Sequence, residues 1–135
     1  MTDRYLLVFD GGSKGNPGPA YGSFHIRPWR DDDEGTTERL NFGLGTNNEA
    51  EYLSLIGGLR SLRAYLHGRE VDLGKTELEL RGDSQLVMRQ LQGKWKAKDE
   101  RMRALRDEAR GLLRGFRKVK FVEQPRQESV DLLGH

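Results

Sequence analysis

Four carboxylates stand out in this 135-residue chain: Asp10, Glu51, Asp83 and Asp131, each isolated in its own motif and spread over nearly the whole length. Acids so far apart act together only if the fold brings them together. Converged, they offer the oxygen ligands that hard divalent cations take, and magnesium, which keeps several of its waters, needs only a few. Softer metals have no comparable set. The chain has no Cys, and His25, His67 and His135 are scattered without the spacing of zinc ligands. A covalent nucleophile is equally unsupported, because Ser13, Ser23, Ser54, Ser61, Ser84 and Ser129 sit in no nucleophile-elbow pattern.

The elements that must position these acids are legible around them. Asp10 closes the apolar run Tyr5-Leu6-Leu7-Val8-Phe9, a strand pattern that breaks at Gly11-Gly12 into a Gly/Pro/Asn turn. Glu51 follows Thr46-Asn47-Asn48 in the first turn of a helix carried by Tyr52, Leu55, Ile56, Leu59, Leu62 and Leu66. Asp83 follows the short alternating strand Glu77 to Gly82 and heads Ser84-Gln85-Leu86-Val87-Met88, a second helix start. Asp131 lies in the closing segment Ser129 to His135. Each acid also has a purely structural reading. Asp10 can form a turn, Glu51 can close a capping box with Asn48, Asp83 can cap a helix, and Asp131 can favour the dipole of a short last helix.

Taken in order, Asp10-Gly11-Gly12-Ser13, Thr46-Asn47-Asn48-Glu49-Ala50-Glu51 and Asp83-Ser84-Gln85 resemble ribonuclease H of the type 1 branch, over Tyr5 to Leu133. The resemblance implies an endonuclease that binds an RNA/DNA hybrid and hydrolyses the RNA strand, leaving 5′-phosphate and 3′-hydroxyl ends. Such hydrolysis needs an activated water, a neutralised non-bridging oxygen and a stabilised leaving oxygen, which two cations about 3.5–4 Å apart can serve together. It implies two Mg²⁺ ions, with Mn²⁺ able to substitute. Asp10, Glu51 and Asp83 would form the core metal site, Asp10 bridging both ions, and Asp131 would complete the second position. It also implies that Asn16, Asn47, Asn48 and Gln85 read minor-groove edges and 2′-hydroxyls, the groups that tell RNA from DNA. Thr46 would hold a DNA phosphate. For Asn47 and Asn48 helix capping is the competing role, for Gln85 surface exposure, and for Asn16 a turn conformation.

In the compact members a short link replaces a longer basic protrusion, and Gly93-Lys94-Trp95-Lys96-Ala97-Lys98-Asp99 has that form. Trp95 can meet sugars while Lys96 meets phosphate; alternatively Trp95 covers the core. The pattern is departed from twice. Many members carry a His shortly before the fourth Asp, where this chain has Glu123, a candidate for proton transfer or an exposed acid with no role. The stretch to Asp131 is also about two residues short, which leaves open a catalytically impaired hybrid-binding module; a transposase-like strand transferase is the remaining alternative. His135 would lie one helical turn beyond Asp131.

Composition agrees with a polyanionic partner. Net charge is only +2, yet Arg89 to Lys120 holds twelve Lys and Arg against four acids. The acidic run Asp31-Asp32-Asp33-Glu34 reads as an exposed hairpin tip, and the neighbouring Trp29 has no expected substrate role. Strands are expected near 4–10, 21–28, 36–44, 76–81 and 118–123, and helices near 48–66, 83–92 and 98–115, with a stub after 129. That order predicts an α/β chain of the ribonuclease H-like fold, a five-stranded mixed sheet flanked by helices. Gly57-Gly58 inside a helix predicts close packing on the sheet. No apolar segment of membrane-spanning length and no repeat is evident, and no signal peptide is expected. A single domain over 1–135, a cytoplasmic monomer, is expected, with no membrane partner and with double-stranded RNA as a possible second substrate.

Overall fold

The protein is described from a computed structural model covering residues 3–30, 35–125 and 133. Asp31 to Glu34, Asp131 and His135 therefore lie outside the described residues. In chain order the elements are β1 (Asp3–Ser13), β2 (Gly18–Pro28), β3 (Thr36–Gly45), α1 (Asn47–Gly68), β4 (Thr76–Gly82), α2 (Gln85–Leu91), α3 (Glu100–Leu113) and β5 (Lys118–Glu123), with a 3₁₀ turn at Leu73–Lys75. The five strands form one sheet in the order β3-β2-β1-β4-β5. Neighbours β1, β2 and β3 are antiparallel, whereas β4 runs parallel to both β1 and β5.

β1 is central because both of its faces are apolar. Alternation sends successive side chains to opposite sides of a sheet. Tyr5, Leu7 and Phe9 join Phe24 and the buried stripe Tyr52, Leu55, Leu59 and Leu62 of α1, while Leu6 and Val8 form a separate cluster with Leu133. That second cluster shows that Leu133, which is helical, returns to the opposite face of the sheet. α3 buries Met102, Leu105, Ala109 and Leu113 in the main core, leaves Arg101 and Arg103 exposed, and turns Arg110 towards the end of α2, where it donates to the Gln90 and Leu91 carbonyls.

The Gly57-Gly58 pair meets its expectation. A Cβ on Gly58 would lie 3.1 Å from both Leu7 Cδ1 and Phe24 Cγ, and one on Gly57 would lie 3.0 Å from Leu40 Cδ1. Contacts this tight would require the neighbouring side chains to give way to any Cβ, so α1 rides low on the sheet. The strand limits differ most at β1, which continues through Gly11-Gly12 to Ser13 where the sequence suggested a turn after Asp10. Pairing explains the extension: Gly11 and Gly12 oppose Gly22 and Tyr21 of β2, so the ladder continues past the acid.

Candidate metal centre and adjoining cleft

The extension of β1 builds the site. A Cβ on Gly11 would lie 2.4 Å from the carbonyl carbon of Ala50 and 2.7 Å from the backbone nitrogen of Glu51. Without a side chain there, the first turn of α1 sits directly on the strand next to Asp10. β4 runs parallel to β1, with Val8 opposite Arg81, and so delivers Asp83 to the same end of the sheet. One carboxylate oxygen from each of Asp10, Glu51 and Asp83 lies within 4.8 Å of the others.

Local chemistry frees these acids from the competing roles. The capping box of α1 is formed by Thr46 and Glu49: Thr46 Oγ1 accepts from the Glu49 N–H at 3.1 Å, and Glu49 Oε1 accepts from the Thr46 N–H at 3.2 Å. The box therefore lies two residues earlier than an Asn48–Glu51 pairing. Ser84, not Asp83, caps α2, its Oγ accepting from the Val87 N–H at 3.2 Å. Neither Glu51 nor Asp83 is needed to end a helix.

Asp10 and Glu51 are buried, and Glu51 Oε2 has no hydrogen-bond partner among the described residues. Burial, then the negative charges of Asp10 and Asp83, hold the Glu51 carboxyl well above the ordinary glutamate range. A buried acid among acids is costly unless a cation enters. The donors are all oxygen, which fits Mg²⁺ or Mn²⁺.

An open cleft of about 760 Å³ lies beside the acids, with Asn47, Asn48, Glu51, Asp83, Gln85 and Glu123 in its wall. Asn16 and Asn47 interlock beside it. Asn16 Oδ1 accepts from the Asn47 N–H at 2.9 Å, and Asn47 Oδ1 accepts from the Ser13 N–H at 2.8 Å. Each side-chain oxygen thus fixes backbone, and both asparagines stay exposed. Asn48 also lines a second groove that carries Trp95 and Lys96, so the two surfaces are contiguous. Trp95 is 40% exposed, which removes the core-covering alternative, and the buried Ala97 anchors its loop instead. Glu123 stands opposite Gly82 in the β4–β5 ladder and pairs with Arg89 at 3.1 Å. Arg89 in turn lies 4.9 Å from the Trp95 ring centre.

Three residues that matter here are unremarkable in sequence. Gly11 reads as half of a turn, and Arg89 and Gln90 read as helix surface and helix interior. Trp29 lies elsewhere: its N–H donates to the Arg4 carbonyl at 2.9 Å, near the far end of β1 from Asp10.

Residues 9–130 match the family model described as reverse transcriptase-like. The ribonuclease HI of Halobacterium salinarum is 39% identical over 98% of this chain, which spans 63% of that protein. The crystal structure of ribonuclease H1 from that organism superposes with a TM-score of 0.82 at 36% identity, covering 96% of this chain and 93% of the other. LC11 ribonuclease H1, solved in complex with an RNA/DNA hybrid, superposes with the same TM-score of 0.82 at 30% identity, over 96% and 92% of the two chains. A parallel-antiparallel mixed sheet with acids gathered at one end defines the class, a ribonuclease H-like α/β domain. The chain belongs to the reverse transcriptase-like family, as a ribonuclease H domain of the type 1 branch.

Proposed function

We propose that this protein is an endoribonuclease that hydrolyses the RNA strand of RNA/DNA hybrids, leaving 5′-phosphate and 3′-hydroxyl ends. The observation that carries the reading is the convergence of Asp10, Glu51 and Asp83, with ligand oxygens within 4.8 Å, beside a cleft that Glu51 and Asp83 line and that shares Asn48 with the groove carrying Trp95. Asp10, Glu51 and Asp83 would hold divalent ions, two Mg²⁺ or Mn²⁺, with Asp131 as a fourth ligand. When bound, such ions activate water and neutralise charge on the reacting phosphate.

The chain's own residues supply the rest. Asn48 and Gln85, exposed in the wall around the acids, present amides to the minor groove, where 2′-hydroxyls mark the RNA strand. Asn16 and Asn47 keep their amide N–H groups for the substrate, because their oxygens are committed to backbone donors. Thr46 orders the first turn of α1 and lies where a DNA phosphate would approach its N-terminus. Trp95 and Lys96 extend the contact to the DNA strand through sugar stacking and charge. Glu123 borders the acids but is tethered to Arg89, which draws its carboxylate away from proton transfer.

The test is cleavage of a strand-labelled RNA/DNA hybrid, beside duplex DNA, single-stranded RNA and duplex RNA, in Mg²⁺, Mn²⁺ and EDTA. Metal-dependent cutting of the RNA strand, lost in Asp10→Asn, is expected. Tight hybrid binding without cleavage in either metal would instead define a hybrid-binding module. Wild-type turnover by Asp10→Asn would refute the proposed role of the acids.

A further inference from the structure

The acid cluster and the Trp95–Lys96 loop belong to different elements, yet a substrate that touches both requires a fixed distance between them. One buried side chain joins the two. Gln90, 3% exposed in the last turn of α2, accepts from the Tyr52 hydroxyl through Oε1 at 2.6 Å and donates through Nε2 to the Lys96 carbonyl at 3.3 Å. Tyr52 is the residue after Glu51 on α1. The backbone carbonyl of Gln90 is held from a third side by Arg110 of α3, at 2.9 Å.

The turn that starts the loop is closed locally. Lys94 and Trp95 donate their N–H groups to the Arg89 carbonyl at 2.9 and 3.3 Å, which ends α2 without reference to α1. Gln90 supplies the polar bridge from α1 to the loop, and it also forms part of the wall of the groove that holds Trp95 and Lys96. A glutamine is suited to this position because its amide supplies one acceptor and two donors at the end of a single side chain.

We propose that Gln90 is a positioning residue that sets the spacing between the carboxylate cluster and the Trp95–Lys96 contact, and through it the affinity for the hybrid and the position of the cut. The inference rests on the proposed nuclease reading for its substrate, but the placement of the loop can be measured without turnover.

The variants are Gln90→Met, which keeps volume and removes both hydrogen bonds, and Tyr52→Phe, which removes only the bond from α1. Val87→Ala, a buried change on the same helix outside the bridge, controls for lost stability. In Gln90→Met, KM for the hybrid is expected to rise about five- to tenfold, the effect of losing a buried hydrogen bond or two, with kcat within about twofold. The distribution of cut positions on an end-labelled hybrid should broaden. Tyr52→Phe should give a smaller change in the same direction, and the double variant should be less than additive. Val87→Ala should leave KM unchanged. In a Trp29→Phe background, Trp95 fluorescence should become more accessible to acrylamide in Gln90→Met and not in Val87→Ala.

Unchanged Trp95 quenching in a folded Gln90→Met protein, or a fall in kcat at constant KM, would overturn the proposal. A wild-type protein inert on hybrids would refute the nuclease reading; the quenching comparison would still decide whether Gln90 places the loop.

Discussion

Replacing Glu51 with Gln is expected to make the metal-free protein more stable wherever Glu51 would be ionised, while it abolishes cleavage. Glu51 is 7% exposed, its Oε2 has no hydrogen-bond partner among the described residues, and its neighbours in space are Asp10 and Asp83. An unsatisfied buried polar atom costs about 1–3 kcal/mol, and the amide N–H of Gln can donate to the aspartate oxygens, which lie within 4.8 Å. For a domain of this size a gain of that order raises Tm by about 3–10 °C. The pH dependence has a definite sign. Because the folded-state value of Glu51 is raised above its ordinary 4.5, the native protein binds this proton more tightly than the unfolded chain does. Its contribution to stability is full below pH 4.5 and is lost as pH rises through the raised value. The substituted amide does not titrate, so the advantage of the variant should be small near pH 4 and grow as pH rises through the raised Glu51 value. The assay is thermal unfolding in EDTA across that range, repeated with Mg²⁺. An ion at 100 times its Kd would add about 2.7 kcal/mol to the wild type and less to the variant. A variant that is less stable than wild type in EDTA by the same amount at both ends of that range would show that Glu51 is a structural residue and refute the reasoning.

Gly11→Ala should lower stability by about 1–3 kcal/mol and reduce cleavage sharply, because its Cβ would overlap the Ala50 carbonyl and force α1 away from Asp10; denaturant melts and single-turnover cleavage measure both. Glu123→Gln should change stability by no more than about 1 kcal/mol, since its ion pair with Arg89 is roughly one-third exposed on each side. Its kcat should stay near wild type, whereas a loss of about a hundredfold or more, the usual cost of removing a general acid or base, would reassign Glu123 as a proton carrier. Asn47→Ala removes the acceptor of the Ser13 N–H; a fall in unfolding free energy of about 1 kcal/mol is expected together with weaker hybrid binding, and a loss of binding alone would mean that the bond to Ser13 contributes nothing.

Periodicity and turn chemistry disclosed most of the architecture, because strands with one buried face and helices with one apolar stripe write their pattern locally. The five strands and three helices lie where expected, within a few residues. What the pattern missed depends on partners. Nothing local distinguishes a strand that continues through Gly11-Gly12 from one that turns there, since the ladder to Gly22 and Tyr21 decides it. Caps are ambiguous for a similar reason: Thr46, Asn47, Asn48 and Ser84 all have capping chemistry, and only the backbone path shows that Thr46 and Ser84 do the capping. The convergence of Asp10, Glu51 and Asp83 followed from the resemblance, but the device that permits it, a glycine under the first turn of α1, is visible only in three dimensions. Gln90 carries no motif at all, because its significance lies in bonds to residues 38 positions before it and 6 after it.

The position of β1 in the sheet also orders assembly in time. Its antiparallel neighbours β2 and β3 end by Gly45, so that meander can pair as soon as it leaves the ribosome. The parallel partner β4 begins at Thr76, and parallel pairing must wait for the intervening α1 to close a long loop. Asp10 and Glu51 can therefore approach one another before Asp83 arrives, and the last acid joins a pair already in place. The charge repulsion of the centre falls on the late docking of β4 and α2. A bound divalent cation would accordingly lengthen the lifetime of the native state more than it hastens its formation.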